Sequence, residues 1–533
     1  MRYPAALALC LVVLRVAAAA DVLATVAESS RFERTARLAE VEAFLATLAE
    51  RSDLVRLSSL GRTVEGREIP LAILADPPAS SPADLRGRTP VLLFGSIHAG
   101  EICGKEALLM LARDIAAERA EGRDTLLDHL VICFVPVYNA DGNERVAPDN
   151  RPGQAGPVEM GIRENAQGLD LNRDWVKMDA PETRAMVAFF NAWDPAVIVD
   201  THTTNGSNHR FTMTYQGPKH PAGDPRVIEF VRDIMLPEID RRFEAATGYH
   251  AFVYGNFEDH HAKWTTFPAE PWYGVAYRGL RNRLSILTEA YAYAPFEDRV
   301  RSTEAFCREI LRFTAERRRE INDLITAADR ATIELGLASA PLAVQTEARA
   351  FAEPATILGY EEPDDSGAHD ERADIDPANA PHRDYTVSLF NDFVPTLEVN
   401  RPAAYLVPAA LTEIIDRLHA HGVRFETAGG EGARTVPAQV YTIDSVERAE
   451  RPWQNRTRMQ IGVLLGAGSA EVRPGDIIVR TDQPLGSLAA YMLEPQATGG
   501  LAAWGFFEEL TVGGAYPIAR LDEAALRVLG LTR

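Results

Sequence analysis

Short apolar runs spaced through the first two thirds of this chain constrain its fold more than any other feature. Residues 69–74, 90–97, 130–137, 196–200 and 284–289 are each five to eight residues long and read as strands. Between them, residues 34–51, 102–117, 181–193, 226–246 and 297–329 carry apolar side chains at helical spacing. This alternation predicts an α/β domain with a central mixed β-sheet flanked by helices on both faces. Ligands of such sheets gather beyond the carboxyl ends of the strands, where His98, His202 and Glu289 fall.

Past residue 335 the texture changes. Residues 361–384 are acidic and rich in Pro, Asp and Ala, as in an exposed linker. Strand-like runs follow at 404–407, 438–442, 459–465 and 476–480, with one helix at 411–421. We therefore expect the α/β domain to span residues 21–335 and a smaller, strand-rich accessory α+β domain to span 336–533. His419 and His421 are two apart on the expected helix and do not share a face, so both are read as solvent-exposed. Trp453, Trp504, Phe506 and Phe507 are read as core, with a stacking surface for sugar or peptide as the competing reading.

The N-terminus reads as a secretory signal over residues 1–20. Arg2 precedes an apolar stretch from Ala5 to Leu14, and Ala18-Ala19-Ala20 forms a small-residue cleavage site before Asp21. Arg15 interrupts the stretch, and Leu9 before Cys10 matches a lipoprotein cleavage site poorly. The expectation is an exported protein, periplasmic or secreted, with no membrane span in the mature chain. A net charge of −21 argues against nucleic acid and anionic membrane as partners. Once Cys10 leaves with the signal, Cys103, Cys133 and Cys307 remain, and buried free thiols are the default reading.

The chemistry-bearing residues lie at the strand ends. Ser96-Ile97-His98-Ala99-Gly100-Glu101 places a histidine and a glutamate three apart, and His202 follows in Val199-Asp200-Thr201-His202-Thr203. A hydrolytic zinc site takes three nitrogen or oxygen ligands and keeps a fourth position open; two histidines and a glutamate fill that quota. A turn at Gly100 would let both His98 and Glu101 face one ion. Asp200 is placed to accept the outer ring N–H of His202 and fix its tautomer, or to cap the strand. Asn172 and Arg173 in Asp170-Leu171-Asn172-Arg173 could clamp a carboxylate. Glu289 ends an apolar run where an unpaired charge is unusual, which makes it a candidate base. Asn139-Ala140-Asp141-Gly142 is a turn signal.

The ordered set of His98-x-x-Glu101, Asn172-Arg173, His202 and Glu289 resembles the zinc carboxypeptidase family of the carboxypeptidase A and B type, over roughly residues 30–330. The resemblance implies one Zn2+ per chain, held by His98, Glu101 and His202, with Glu289 as general base and acid. It also implies Asn172 and Arg173 as the clamp on the terminal carboxylate of a peptide or protein substrate. The family's oxyanion arginine maps to Arg163, with Arg151 competing, and its substrate-covering tyrosine to Tyr277, with Tyr273 a near equal. Arg278, Arg281 and Arg283 raise the option of a pocket for an acidic terminal residue. The implied activity is hydrolysis of C-terminal peptide bonds. The alternatives are a zinc amidase or peptidase acting on cell-wall peptides or N-acyl amino acids, and a non-catalytic peptide-binding protein.

Overall fold

The computed structural model describes residues 22–362, 375, 379–507 and 509–531. The proposed signal at 1–20, and most of the acidic stretch between 362 and 379, lie outside the described residues. The first ten strands are β1 (Val55–Arg62), β2 (Glu68–Leu74), β3 (Thr89–Gly95), β4 (Leu130–Val135), β5 (Val197–Thr204), β6 (Met213–Gln216), β7 (Ala251–Val253), β8 (Asn256–Glu258), β9 (Lys263–Thr265) and β10 (Leu284–Tyr291). Eight of them form the central sheet in the order β1-β2-β4-β3-β5-β10-β6-β7. Its middle, β4-β3-β5-β10, is parallel, and antiparallel pairs bring in β1, β2 and β6. This is the mixed sheet the alternating runs predict.

Strands buried on both faces read as continuous apolar runs, and here each run divides cleanly. Val91, Leu93, Val197 and Val199 face one core with the helices Leu38–Arg51, Cys103–Ala120 and Phe296–Glu316. Leu92, Phe94 and Ile198 face the other, with the helix Pro181–Trp193. Leu38–Arg51 forms where Leu38, Val41, Leu45 and Leu48 recur at three- and four-residue spacing, all buried. The single charged helix expected at 297–329 is two helices, Phe296–Glu316 and Arg318–Leu337, which meet at Arg317. No helix of the described residues is long and apolar enough to cross a membrane.

The C-terminal region is built against the second face. Its Tyr405, Leu418, Tyr441, Leu488 and Trp504 share one hydrophobic cluster with Leu92 and Phe94 of β3. A second sheet also joins the two parts of the chain. In it β11 (Pro341–Ala350) and β12 (Ala355–Tyr360) pair with β13 (His382–Asn400), which pairs in turn with β9. A third sheet of six strands includes β14 (Ala404–Val407) and a long hairpin made of Arg434–Arg448 and Met459–Val472. The tip of that hairpin, residues 449–458, reaches back onto the first part of the chain.

Candidate metal centre

β3 ends at Gly95, and the chain turns through His98 to Glu101 before the helix Cys103–Ala120 begins. Two glycines permit this turn. A Cβ on Gly100 would stand 2.6 Å from the carbonyl oxygen of Gly161, and one on Gly104 only 2.0 Å from Thr201 Oγ1 on β5. A side chain at either position would push the turn away from the loop behind it or from the strand beside it.

The turn brings His98, Glu101 and His202 together, all buried, with one ligand atom from each inside a 4.8 Å group. His98 Nδ1 is 3.0 Å from Glu101 Oε1, and His202 Nδ1 is 3.0 Å from Glu101 Oε2. The opposite ring nitrogens face carboxylates: His98 Nε2 is 2.9 Å from Asp170 Oδ1, and His202 Nε2 is 3.0 Å from Asp200 Oδ1. A carboxylate behind a ligating histidine fixes its tautomer and orientation and strengthens it as a donor. Both histidines therefore turn Nδ1 toward a common point. The donor set suits zinc, and its electrostatics call for a cation. Burial works against a charged His202, yet the carboxylates of Asp200 and Glu101 raise it well above its ordinary range.

Glu289 lies opposite His202 in the β10–β5 register, with its buried Oε2 free of any hydrogen bond. Burial pushes its carboxyl up to about 8, with Glu101 and Asp200 adding to the rise and His202 and Arg163 opposing it. A carboxylate so raised and so placed is suited to accept a proton near neutrality.

Both candidate arginines reach the cluster. Arg151 donates to Glu101 Oε1 at 3.0 Å, while Arg163 lies 3.6 Å from that oxygen and donates through Nε to Asp170 Oδ2 at 3.0 Å. Asn139, from the turn motif, holds the Arg163 loop by donating to the carbonyls of Arg163 and Glu164 at 3.3 and 3.1 Å. Asn172 accepts with Oδ1 from Trp175 Nε1 and from the Gly274 amide, at 3.1 and 2.8 Å, which leaves its NH2 as the donating end. The guanidinium of Arg173 lies 4.2 Å over the ring of Tyr273.

Tyr277 is not brought to the site. It is wholly buried, with its hydroxyl 2.8 Å from His421 Nδ1 and 3.2 Å from Arg281 Nη1. Tyr273, its near equal in sequence, is the tyrosine beside Arg173. The three arginines raised for an acidic pocket are also committed elsewhere. Arg278 is buried against Asp200 at 3.2 Å, Arg281 bonds Tyr277 and Asn191, and Arg283 pairs with Asp194 and Asp329. His421, read as exposed, is fully buried and lies 3.0 Å from the carbonyl oxygen of Val176. Cys103, Cys133 and Cys307 are buried free thiols.

Three neighbours of the site escape the sequence reading. Asp170 sits just ahead of Asn172-Arg173, and its spacing from them was the available signal. Tyr254 stands close enough to Glu289 for that charge to help raise its hydroxyl to about 12, although burial is the larger cause. Gln454, in the hairpin tip, accepts from the Asp170 amide at 2.8 Å.

A buried two-histidine, one-glutamate cluster at strand ends, backed by carboxylates and faced by a free glutamate, has the donor set of a zinc hydrolase. Residues 41–226 match the zinc carboxypeptidase family model. Carboxypeptidase 2 of Trichophyton rubrum is 22% identical over 503 residues, covering 90% of this chain and 86% of the relative. Human carboxypeptidase D is 32% identical over 195 residues, 30% of this chain and 14% of the relative. Among solved structures, a putative carboxypeptidase A from Shewanella denitrificans OS-217 superposes at a TM-score of 0.41 and 17% identity, covering 52% of this chain and 69% of that one.

Proposed function

We propose that this protein is a zinc-dependent metallocarboxypeptidase that hydrolyses the C-terminal peptide bond of peptides or proteins. The observation that carries the reading is the convergence of His98, Glu101 and His202 beside the unpartnered Glu289 Oε2. His98 and His202 hold zinc through Nδ1, and Glu101 holds it through its carboxylate. Zinc, when bound, polarises the scissile carbonyl and makes water acidic enough to be deprotonated near neutral pH.

The remaining chemistry belongs to the chain. Glu289 accepts the proton of the attacking water and returns it to the leaving nitrogen, so one carboxyl serves as base and then as acid. Arg163 donates toward the oxygen on which negative charge develops. Its guanidinium is tethered to Asp170 and feels the charges of Glu101 and Glu289. Arg151 is tied more closely to Glu101 and acts on the ligand. The Asn172 amide and the Arg173 guanidinium grip the substrate's terminal carboxylate, and Tyr273 covers it. The substrate is a peptide or protein with a free carboxylate. The reading of residues 1–20 as a signal supports export to the periplasm or medium, and residues 336–533 act as an accessory region.

Replacing Glu289 by Gln separates an enzyme from a binder. The enzyme loses turnover and keeps one zinc per chain, whereas a peptide-binding protein retains its binding function and shows no turnover to lose.

A further inference from the structure

The Asp170 carboxylate serves three parts of the site at once. Oδ1 lies 2.9 Å from His98 Nε2 and accepts the Asn172 amide at 2.8 Å, while Oδ2 accepts from Arg163 Nε at 3.0 Å. A ligand histidine, the clamp turn and the oxyanion arginine thus share one anchor. The direction of that carboxylate depends on how the peptide between Leu169 and Asp170 is held. Its N–H donates to Gln454 Oε1 at 2.8 Å, across 284 residues of sequence.

The hairpin tip is shaped and fastened for this contact. Gln454 and Asn455 both have left-handed backbone, at φ 53° and 63°, which L residues adopt at a cost and keep only where their surroundings impose it. Asn455 Nδ2 donates to the Gln167 carbonyl at 3.2 Å. Arg456 grips Asp179 with two bonds of 2.7 and 2.8 Å. Trp453 stacks on Trp504 with ring centroids 5.3 Å apart and meets the edge of Trp272 at 5.7 Å. The tip is thus fastened on both sides of the one residue that reaches Asp170.

We infer that Gln454 is a positioning residue for the metal site: the C-terminal hairpin holds the Asp170 peptide and, through Asp170, sets His98 for the metal. The inference rests on the assignment of His98 as a zinc ligand. It makes the C-terminal region a structural part of the catalytic centre.

The test is zinc affinity of the full-length protein, measured by competition with a chromogenic chelator. Gln454→Met keeps the bulk of the side chain and removes the acceptor. Loss of a carboxylate directly behind a ligand costs about 10- to 100-fold in metal affinity, so this contact, one bond further out, is expected to cost about 3- to 10-fold. kcat should fall in parallel with little change in KM. Gln454→Glu restores an acceptor oxygen and should bring affinity back to within about twofold of wild type. A Gln454→Met protein that melts earlier yet binds zinc as wild type does would overturn the inference, because the contact would then be structural alone. Should that variant fail to fold, the double variant Asn455→Ala, Arg456→Ala decides: it frees the tip from Gln167 and Asp179 and should weaken zinc binding, and unchanged affinity again refutes the idea. His98→Ala checks the assignment beneath. If it retains zinc, the metal reading itself fails; if it loses zinc while Gln454→Met does not, only the hairpin's role is removed.

Discussion

Glu289 and His202 stand opposite each other in the parallel register of β10 and β5. The proposed base and the proposed metal ligand are therefore placed by one ladder of backbone hydrogen bonds rather than by loops. Side chains at paired positions on adjacent strands emerge on the same face, so the register alone brings the carboxylate to the metal side of the imidazole.

This placement predicts a pH profile. A protonated Glu289 cannot take a proton from water, so kcat/KM should fall as the pH drops through its pKa. With no ion at the ligands, burial holds that carboxyl at about 8. A dication on His98, Glu101 and His202 favours the ionised form, and the zinc-loaded enzyme should show its acid limb below pH 8. Glu289→Gln should lower kcat by about 100- to 10,000-fold. A limb at or above pH 8, or a Gln variant with near-normal turnover, contradicts the role given to Glu289.

The two arginines make separable predictions. Arg163 as the oxyanion donor implies that Arg163→Ala lowers kcat by about 100- to 1,000-fold with a small change in KM. Arg151 bonds Glu101, so Arg151→Ala should act chiefly on zinc affinity. Steady-state kinetics alongside chelator competition distinguish them, and the opposite pattern would exchange their roles.

A clamp built from Asn172 and Arg173 requires a free terminal carboxylate. A peptide and its C-terminal amide should differ in kcat/KM by at least about 100-fold on the wild type, a loss within the cost of breaking a desolvated charge pair. Arg173→Ala should erase most of that difference by raising KM for the free acid. Equal cleavage of acid and amide by the wild type would remove the clamp from the account.

Tyr273 is proposed to act in function and Tyr277 in the fold. Tyr277→Phe takes one buried hydrogen-bond partner from His421 and one from Arg281, leaving them Val176 and Asn191, and should cost about 1 to 3 kcal/mol of stability, with kinetics little changed. Tyr273→Phe should leave the melting temperature alone and change kcat/KM. Thermal melts and peptide kinetics on both variants settle the matter, and reversed effects would reinstate Tyr277.

The parts of this molecule encoded locally were readable from its sequence. β3, β4, β5 and β10 announce themselves because both their faces are buried, and His98, His202 and Glu289 sit at their carboxyl ends. β1 carries no such signal: beyond Val55 it is largely solvent-facing at the sheet edge. His421 misled for a related reason. Its helix ends at Ala420, so His421 follows the turn inward toward Tyr277 rather than any helix face. Tyr273 and Tyr277 share one short stretch, and only their packing tells them apart. Gln454 was invisible in principle, since no local pattern links a hairpin tip to an amide 284 residues away.

Carboxypeptidase action is tested most simply by mass spectrometry of a mixed peptide library incubated with the protein, with and without a zinc chelator. Single C-terminal residues should be lost, the loss abolished by the chelator and restored by zinc, and the residues released identify the side-chain preference. A library left intact by zinc-loaded protein would contradict carboxypeptidase action and direct attention to cell-wall peptides and N-acyl amino acids. Cleavage that persists in the chelator would contradict the metal centre itself.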